Sequence, residues 1–340
     1  MQQEQIQWEA NVWYLERLHL GKHRIDESKS LISISFMEVK EIQNREILQA
    51  YMKYELGITG QAVSTIVRRF VCIRNFIELL EQEKILAIHA TVAEVKKYAD
   101  GLRERGIQAK GFNERIFGIG HFYKFMEVKQ YITRMPFRIE YFQQKEVIVH
   151  HDRSVEETVY MEILKKLYLF PERLRCMFLH LWCLGLRASE VCTLKGNAYY
   201  QQGEDYWIQV YQVKMKNYKR IPIPQALYQI MKVYLKKHEI QPEEFIFKNN
   251  RGGACLYGTF RTQMIEACRE NKIANGEYLF QSHDYRHTVA TMFYDSHVSL
   301  QSIRDYLGHT YEEMTRQYID YMPQRIAKAN DESLKCKEVV

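Results

Sequence analysis

The sequence predicts a mainly helical protein, with an all-helical domain first and then a domain that combines helices with a small antiparallel sheet. Only 16 glycines and 6 prolines interrupt the 340 residues, which favours long helices over a many-turned β-sandwich. In the first half, apolar residues recur at spacings of three and four, the period of a buried helical face. Strand-like alternation is confined to short stretches of the second half. At roughly 150 residues per domain, the length suggests two domains.

Composition and charge exclude several classes of protein. Hydrophobic residues make up 46% and charged residues 26%, which is ordinary globular usage and excludes wholesale disorder. The net charge of +6 is mild, so it permits a polyanionic partner without requiring one. The most apolar run, 176–186, is well short of the ~20 residues that span a bilayer, and no secretory signal is visible, so no membrane association is expected. The seven scattered cysteines form no C-x-x-C pair, which favours free thiols in a cytoplasmic location.

The first half divides into an N-terminal extension, residues 1–38, and a helical domain, residues 39–136. One long helix is predicted by a stripe of apolar residues at Val63, Ile66, Val67, Phe70, Ile73, Phe76, Ile77 and Leu80. Thr91 and Glu94 predict a capping box for another helix, which Gly106 ends. Three arginines of this helix lie mostly off the stripe and are therefore candidates for phosphate contacts: Arg68, Arg69 and Arg74.

The second half is predicted as a linker at 137–154, a domain at 155–326 and a C-terminal tail at 327–340. Helices are expected at about 155–169 and 171–184. Strand-like segments at 206–213 and 220–223 flank a basic stretch, 214–219, which is predicted as the hairpin turn between them. A third strand-like piece at 245–247 ends in a turn signal at 249–253.

The first candidate site lies between two helices of this second domain. Gly185 suits a left-handed helix end, and Arg187 follows it in a tight junction just before Ser189 and Glu190. An arginine held in such a turn has a fixed backbone and five donors for bidentate phosphate binding. The alternative is an arginine that only caps a helix or pairs with Glu190.

The second candidate site is a histidine-rich helical segment. With Ser282 as N-cap, His283, Arg286 and His287 occupy one face of a helix, and three such groups favour an anion between them. Two alternatives remain. The histidines are either satisfied surface side chains or a metal pair at i, i+4 spacing, although a zinc-protease motif would have Glu where Asp284 stands.

Two further signals are weaker on their own. His309 follows Gly308 before a helix on which Tyr318 stands nine residues later, and the simple interpretation of this tyrosine is packing. In the basic hairpin, Lys214 is placed to direct its ammonium group into a cleft as a proton donor, and Lys216 is the alternative. Basic residues in an exposed turn are more often merely solvated.

The order of these signals along the chain resembles the tyrosine recombinases of the phage integrase family. The matching positions are Arg187, Lys214, His283, Arg286, Gly308, His309 and Tyr318. Trp182 and Tyr285 stand where the family patterns have leucines, at packing positions. The motif-level likeness covers about 155–325, whereas 39–136 is similar by shape and position only. The resemblance implies a SAM-like helical core-binding domain and an α+β catalytic domain of the DNA breaking-rejoining fold.

The resemblance also implies a mechanism. Arg187 and Arg286 stabilise the phosphorane, to which His283 and His309 add donors. His283 also takes the proton of Tyr318 as general base, and Tyr318 attacks the phosphate. Lys214, or Lys216 in its place, then protonates the leaving 5′-oxygen, while Glu190 and His287 support the site. The product is a 3′-phosphotyrosine, formed without metal, cofactor or ATP. The implied partners are a double-stranded DNA recombination site, a homo-tetramer on synapsed DNA and accessory DNA-bending proteins, at the nucleoid of a prokaryotic cytoplasm.

Several other functions fit parts of the same pattern. Within the family, a relaxing type IB topoisomerase and a hairpin-resolving strand transferase use similar motifs. A non-catalytic DNA-binding regulator would need the helical domain alone. A metal-dependent nuclease would centre on His283, His287 and His309, and it would lose activity in EDTA.

Overall fold

The computed structural model describes residues 7–30, 32–147, 153–213, 215–309, 311 and 315, and these are mainly helical. They form two compact units, one drawn from the described residues within 1–26 and 31–148 and the other from those within 27–30 and 149–340. Short antiparallel sheets accompany the helices, so the predicted fold class is confirmed. Within the described ranges, no helix has the length and apolar character that crossing a bilayer requires.

The first unit is a helical bundle. Its described residues include α1 (Ile42–Ile58), α2 (Val63–Gln82), α3 (Val92–Glu104) and α4 (Ala109–Val128). The predicted stripe of α2 is buried among α1, α3 and α4, apart from Val67, which is half-buried. The capping box is confirmed, because Thr91 Oγ1 accepts from Ala93 N at 3.1 Å and Glu94 Oε2 accepts from Thr91 N at 2.6 Å. Gly106 adopts a φ of 67° just beyond the end of α3, as predicted.

Segments that flank these helices in sequence also pack into the core of the first unit. Two short strands of the N-terminal extension, β1 (Val12–Tyr14) and β2 (Ser33–Ser35), pair antiparallel. Trp13 is fully buried, with its ring 4.6 Å from that of Phe36. Phe137 and Phe142, which fall in the predicted linker, are buried in the same core. Aromatic burial therefore extends this unit on both sides of the helical bundle.

The second unit surrounds a larger apolar core with helices and one sheet. Its described helices are α5 (Glu157–Lys166), α6 (Glu172–Leu184), α7 (Ala188–Cys192), α8 (Gln225–Lys237), α9 (Tyr257–Glu270), α10 (Ser282–Asp295) and α11 (Leu300–Leu307). α6 packs directly against α10 and α7. Tyr285 is buried at its packing position, with its hydroxyl 3.0 Å from that of Tyr278.

The sheet of the second unit differs from the prediction. Its strands β3 (Tyr199–Gln202), β4 (Asp205–Gln212) and β5 (Asn217–Pro222) are antiparallel in that order. The turn between β4 and β5 is shorter than predicted, because Gln212 pairs with Asn217 and Lys219 lies opposite Val210. Lys219 is thus a strand residue and not a turn residue. The expected strand at 245–247 is reduced to an isolated bridge between Phe245 and Lys195.

Candidate active site

The junction between α6 and α7 sets the position of the first arginine. Gly185 ends α6 in the left-handed region, at a φ of 58°, where a residue without Cβ avoids strain. Arg187 is the N-cap residue of α7, and its backbone N–H and its Nη1 donate to the two carboxylate oxygens of Glu190, each at 2.9 Å. The side chain of Arg187 is 18% exposed, whereas that of Glu190 is 2% exposed. The pairing considered as an alternative for Arg187 is therefore present, and its partner is buried.

The second arginine approaches the same place from α10. Arg286 is almost completely buried, and it donates from Nη1 to the Gly185 carbonyl at 2.8 Å and from Nη2 to the Leu307 carbonyl at 2.5 Å. It thereby joins the end of α6 to the end of α11. Arg286 also acts electrostatically on Glu190, as Arg187 does. The charges of two guanidinium groups, about 100 residues apart in the chain, thus act on one carboxylate.

A lysine that the sequence analysis did not single out completes this group. Lys219, on β5, places Nζ 3.4 Å from Glu190 Oε2 and 3.4 Å from the Leu307 carbonyl. Gln212, at the end of β4, donates to Glu190 Oε1 at 3.3 Å. The sequence feature that could have found Lys219 is its spacing, because Lys219, Ile221 and Ile223 are two residues apart, as are side chains on one face of a strand. This spacing was missed because the turn was predicted to extend to residue 219, which assigned Lys219 to the turn.

Burial and charge act in opposite directions on the central pair. Burial by itself raises the pKa of Glu190, but Lys219, Arg286 and Arg187 together lower it to about 2. Burial lowers the pKa of Lys219 to about 8, because the single carboxylate does not outweigh desolvation and two neighbouring arginines. The group therefore has three cationic side chains around one carboxylate, and it favours a further anion.

The charges of this cluster act on histidines from two segments. His309 is buried, with Nδ1 3.0 Å from Thr315 Oγ1, and burial together with Arg286, Arg187, Lys219 and His283 lowers its pKa to about 3. His283 and His287 share a face of α10, and their ring centroids are 4.9 Å apart. Burial, His283, Arg153 and Arg286 lower the pKa of His287 to about 3. Both His309 and His287 are thus neutral near pH 7, with one N–H each to donate.

Not every predicted residue joins this group. Lys214 and Tyr318 lie outside the described residues. Lys216 is exposed in the turn between β4 and β5, at a φ of 54°. Ser282 is the first residue of α10 and not its cap, because Gln281 occupies that position. In the part of the chain that the structure describes, no three His, Cys, Asp or Glu side chains come together as metal ligands.

The arginines of the first unit divide into two kinds. Arg68 is 62% exposed and pairs with Glu114 at 2.7 Å. Arg69 is 13% exposed, and its Nη1 pairs with the buried Glu55 at 2.9 Å. Arg74 is partly buried and pairs with Glu78 at 3.2 Å, one turn along α2. The carboxylate partner of Arg69 is therefore buried, whereas those of Arg68 and Arg74 are at least one-third exposed. Phosphate contacts by these three arginines stay a prediction.

Curated relatives cover most of this chain. Transposase B from transposon Tn554 of Staphylococcus aureus strain Mu50 is 25% identical over 322 residues, which are 92% of this chain and 51% of the relative. The tyrosine recombinase XerC of Bacillus licheniformis is 23% identical over 294 residues, which are 82% and 89% of the two chains. The chain thus spans about half the length of the transposase relatives.

Solved structures share the fold. XerH site-specific recombinase bound to a palindromic difH substrate, in a post-cleavage complex, aligns with a TM-score of 0.63 at 15% identity, covering 86% of this chain and 85% of that one. A lambda integrase dimer bound to a COC′ core site aligns with a TM-score of 0.59 at 18% identity, covering 80% and 93%. The family model described as "Phage integrase family" matches residues 153–325. Because this match takes in just over half of the 340 residues, including both arginine positions, the chain belongs to the phage integrase family.

Proposed function

We propose that the chain is a site-specific DNA recombinase or integrase, which breaks and rejoins strands through a 3′-phosphotyrosine intermediate. The observation that carries this proposal is that Arg187 and Lys219 both pair with the buried carboxylate of Glu190, while Arg286 and Lys219 share the Leu307 carbonyl. The excess of positive charge suits a phosphodiester, whose non-bridging oxygens gain negative charge as the phosphorus becomes five-coordinate.

The two arginines take the part that a metal ion plays in other phosphoryl transferases. A guanidinium group stays protonated and presents paired donors, so Arg187 and Arg286 stabilise the phosphorane without a metal or another cofactor. His309 and His283 donate to the same oxygens, and His283 accepts the tyrosine proton. Glu190 and His287 act on these donors and not on the phosphate. Glu190 does so through its two hydrogen bonds with Arg187.

The remaining steps use the hairpin and the C-terminal region. The hydroxyl oxygen of Tyr318 attacks phosphorus, and the bond from phosphorus to the 5′-oxygen breaks. Lys214, or Lys216 in its place, donates the proton that the 5′-oxygen takes. Because one phosphoester replaces another, no ATP is consumed, and the free 5′-hydroxyl of a second strand reverses the chemistry to join new ends.

The partner in this proposal is a double-stranded DNA recombination site. We propose a homo-tetramer on two synapsed sites, with residues 327–340 docking on a neighbouring subunit, and with accessory DNA-bending proteins at the nucleoid in the cytoplasm. Arg68 is the arginine of α2 that remains best placed to bind a phosphate, since it is exposed. Such contacts fix the register of DNA without reading its sequence, and they weaken steeply with salt.

A trapping experiment tests the proposal directly. Nicked duplexes tiled across the DNA that flanks the gene are incubated with the protein, so that loss of a short 5′-hydroxyl strand makes cleavage irreversible. We expect an SDS-resistant protein–DNA adduct in EDTA, with the linked peptide containing Tyr318. Tyr318→Phe should abolish the adduct while DNA binding persists, and the matched control Tyr311→Phe should retain it.

Each contrary result points to another function. Binding without any adduct supports a non-catalytic regulator, and cleavage that EDTA stops supports a metal-dependent nuclease. An adduct that relaxes supercoiled plasmid but never joins two duplexes supports a topoisomerase. Substitution of Arg187 or Arg286 by alanine should slow adduct formation by about 10²–10³, the usual effect of removing one preorganised donor.

A further inference from the structure

A charged residue occupies an inward-facing position of β5. Burial alternates along this strand, so that Lys219 and Ile221 face the core while Tyr218 and Arg220 face outward. The side chain of Lys219 is only 7% exposed. Removing an ammonium group from water is costly unless a charge and hydrogen bonds replace its hydration. An apolar residue would fill this position at lower cost, so the contacts made by the ammonium group need an explanation.

Those contacts join two of the segments that carry candidate site residues. Lys219 Nζ lies 3.4 Å from Glu190 Oε2, and Glu190 in turn holds both the backbone and the guanidinium group of Arg187. Lys219 Nζ also lies 3.4 Å from the Leu307 carbonyl, which accepts from Arg286 at 2.5 Å. Leu307 ends α11, immediately before Gly308 and His309. One ammonium group thus links the first arginine, the second arginine and the turn that leads to His309.

We propose that Lys219 is a positioning residue, which holds Glu190 and the Leu307 carbonyl so that Arg187, Arg286 and His309 keep their places around the scissile phosphate. This inference rests on the proposed recombinase function and assigns no direct contact between Lys219 and DNA. It is distinct from the proton-donor role given to Lys214 or Lys216, because Lys219 lies inside the sheet and its ammonium group is directed at protein atoms.

The charge of Lys219, and not only its volume, is what the proposal requires. The groups that face it are Glu190 and Arg187 from α7, Arg286 from α10 and His309 beyond α11. If its ammonium group loses a proton, the ion pair with Glu190 is lost while the packing is unchanged. A role in packing alone would be insensitive to this change.

Three variants separate these roles. Lys219→Met keeps the volume and removes the charge, and Lys219→Arg keeps the charge. Lys195→Met is the matched control, because Lys195 also pairs with a glutamate, Glu243 at 3.7 Å, but in an exposed position. The readouts are the single-turnover rate of adduct formation on a nicked duplex that the wild type cleaves, the Kd for the same duplex, and thermal unfolding.

We expect Lys219→Met to slow adduct formation by roughly 10- to 100-fold, the usual range when a group that orients a directly acting side chain is removed. DNA affinity should change by less than about threefold, because a positioning role gives Lys219 no direct contact with DNA. Lys219→Arg should restore most of the rate, and Lys195→Met should match the wild type. A Lys219→Met protein that folds and cleaves at the wild-type rate overturns the inference.

A pH series keeps the test decisive even if Lys219→Met does not fold. The pKa of Lys219 is about 8, whereas an arginine at this position stays protonated throughout. The ratio of the wild-type rate to the Lys219→Arg rate should therefore fall as the pH rises from about 7 to about 9. Every other titrating group is common to the two proteins, so a flat ratio contradicts the inference. A wild type that forms no adduct on any duplex contradicts the proposed function itself.

Discussion

Glu190→Gln removes the charge at the centre of the site while nearly preserving its shape. In the wild type the ionised carboxylate is stabilised by Lys219, Arg286 and Arg187 against the cost of burial. The free energy that separates a pKa of about 2 from the ordinary value of 4.5 is about 3 kcal/mol. Because the side chain is only 2% exposed, solvent screening reduces this value little. We therefore expect the variant to lose about 3 kcal/mol of unfolding free energy near pH 7.

The difference in unfolding free energy between wild type and Glu190→Gln should depend on pH. A carboxyl group with a lowered folded-state pKa contributes stability above its unfolded pKa, 4.5, and loses that contribution as the pH falls through about 2. The difference in unfolding free energy between wild type and Glu190→Gln should therefore have its full value near pH 7 and about half that value near pH 3. A neutral glutamine cannot titrate, so its own stability follows only the other groups.

The measurement must report on the second unit alone, because two compact units need not unfold together. Urea unfolding monitored by hydrogen exchange in peptides of α6 and β4 meets this need. The control is Glu243→Gln, which removes a carboxylate that is 80% exposed and should change stability little. A Glu190→Gln loss of unfolding free energy below about 1 kcal/mol near pH 7, or a loss of the same size near pH 3 and pH 7, would contradict this prediction.

Three further predictions follow from single contacts. Gly308→Ala should lower the free energy of unfolding by about 1–2 kcal/mol, since φ is 70° and the new Cβ would collide with the Gln212 amide. Urea unfolding measures this loss, and an unchanged midpoint contradicts the prediction. Between pH 6.5 and about 3, His309 is protonated in the unfolded state but not in the folded state, so the free energy of unfolding falls on acidification. In urea unfolding across this pH range, His309→Gln should show a smaller fall than the wild type. Thr91→Ala should destabilise the first unit by about 1 kcal/mol, measured by hydrogen exchange in α3, because its cap to Ala93 N is lost; Thr91→Ser should not.

Local patterns account for what the sequence predicted well. The stripe on α2 and the capping box at Thr91 depend on residues within one or two turns of each other, so short spacing determines them. The junction at Gly185 and Arg187 is also local, because a left-handed glycine ends one helix directly before the next. These features needed no knowledge of distant partners.

Features that depend on pairing were predicted less well. The turn between β4 and β5 was expected at 214–219, and its true length decides which residues of β5 face inward. A change in where a strand begins also decides whether a charged residue counts as turn or as core. Arg69 was predicted to be a candidate for phosphate binding because the spacing of residues on α2 does not show its partner, Glu55, which lies on α1.

Three features can be read from the amino-acid sequence without a structure: the helical class of the protein, the helix ends at Thr91 and Gly185, and the order of the charged motifs that resembles the phage integrase family. The burial of Lys219 against Glu190, and the Leu307 carbonyl that Arg286 and Lys219 share, become visible in the folded chain alone. The physical reason is the range of the interactions. Periodicity and capping act between neighbours in the chain, whereas the balance of burial and charge at Glu190 depends on side chains brought together from three distant segments.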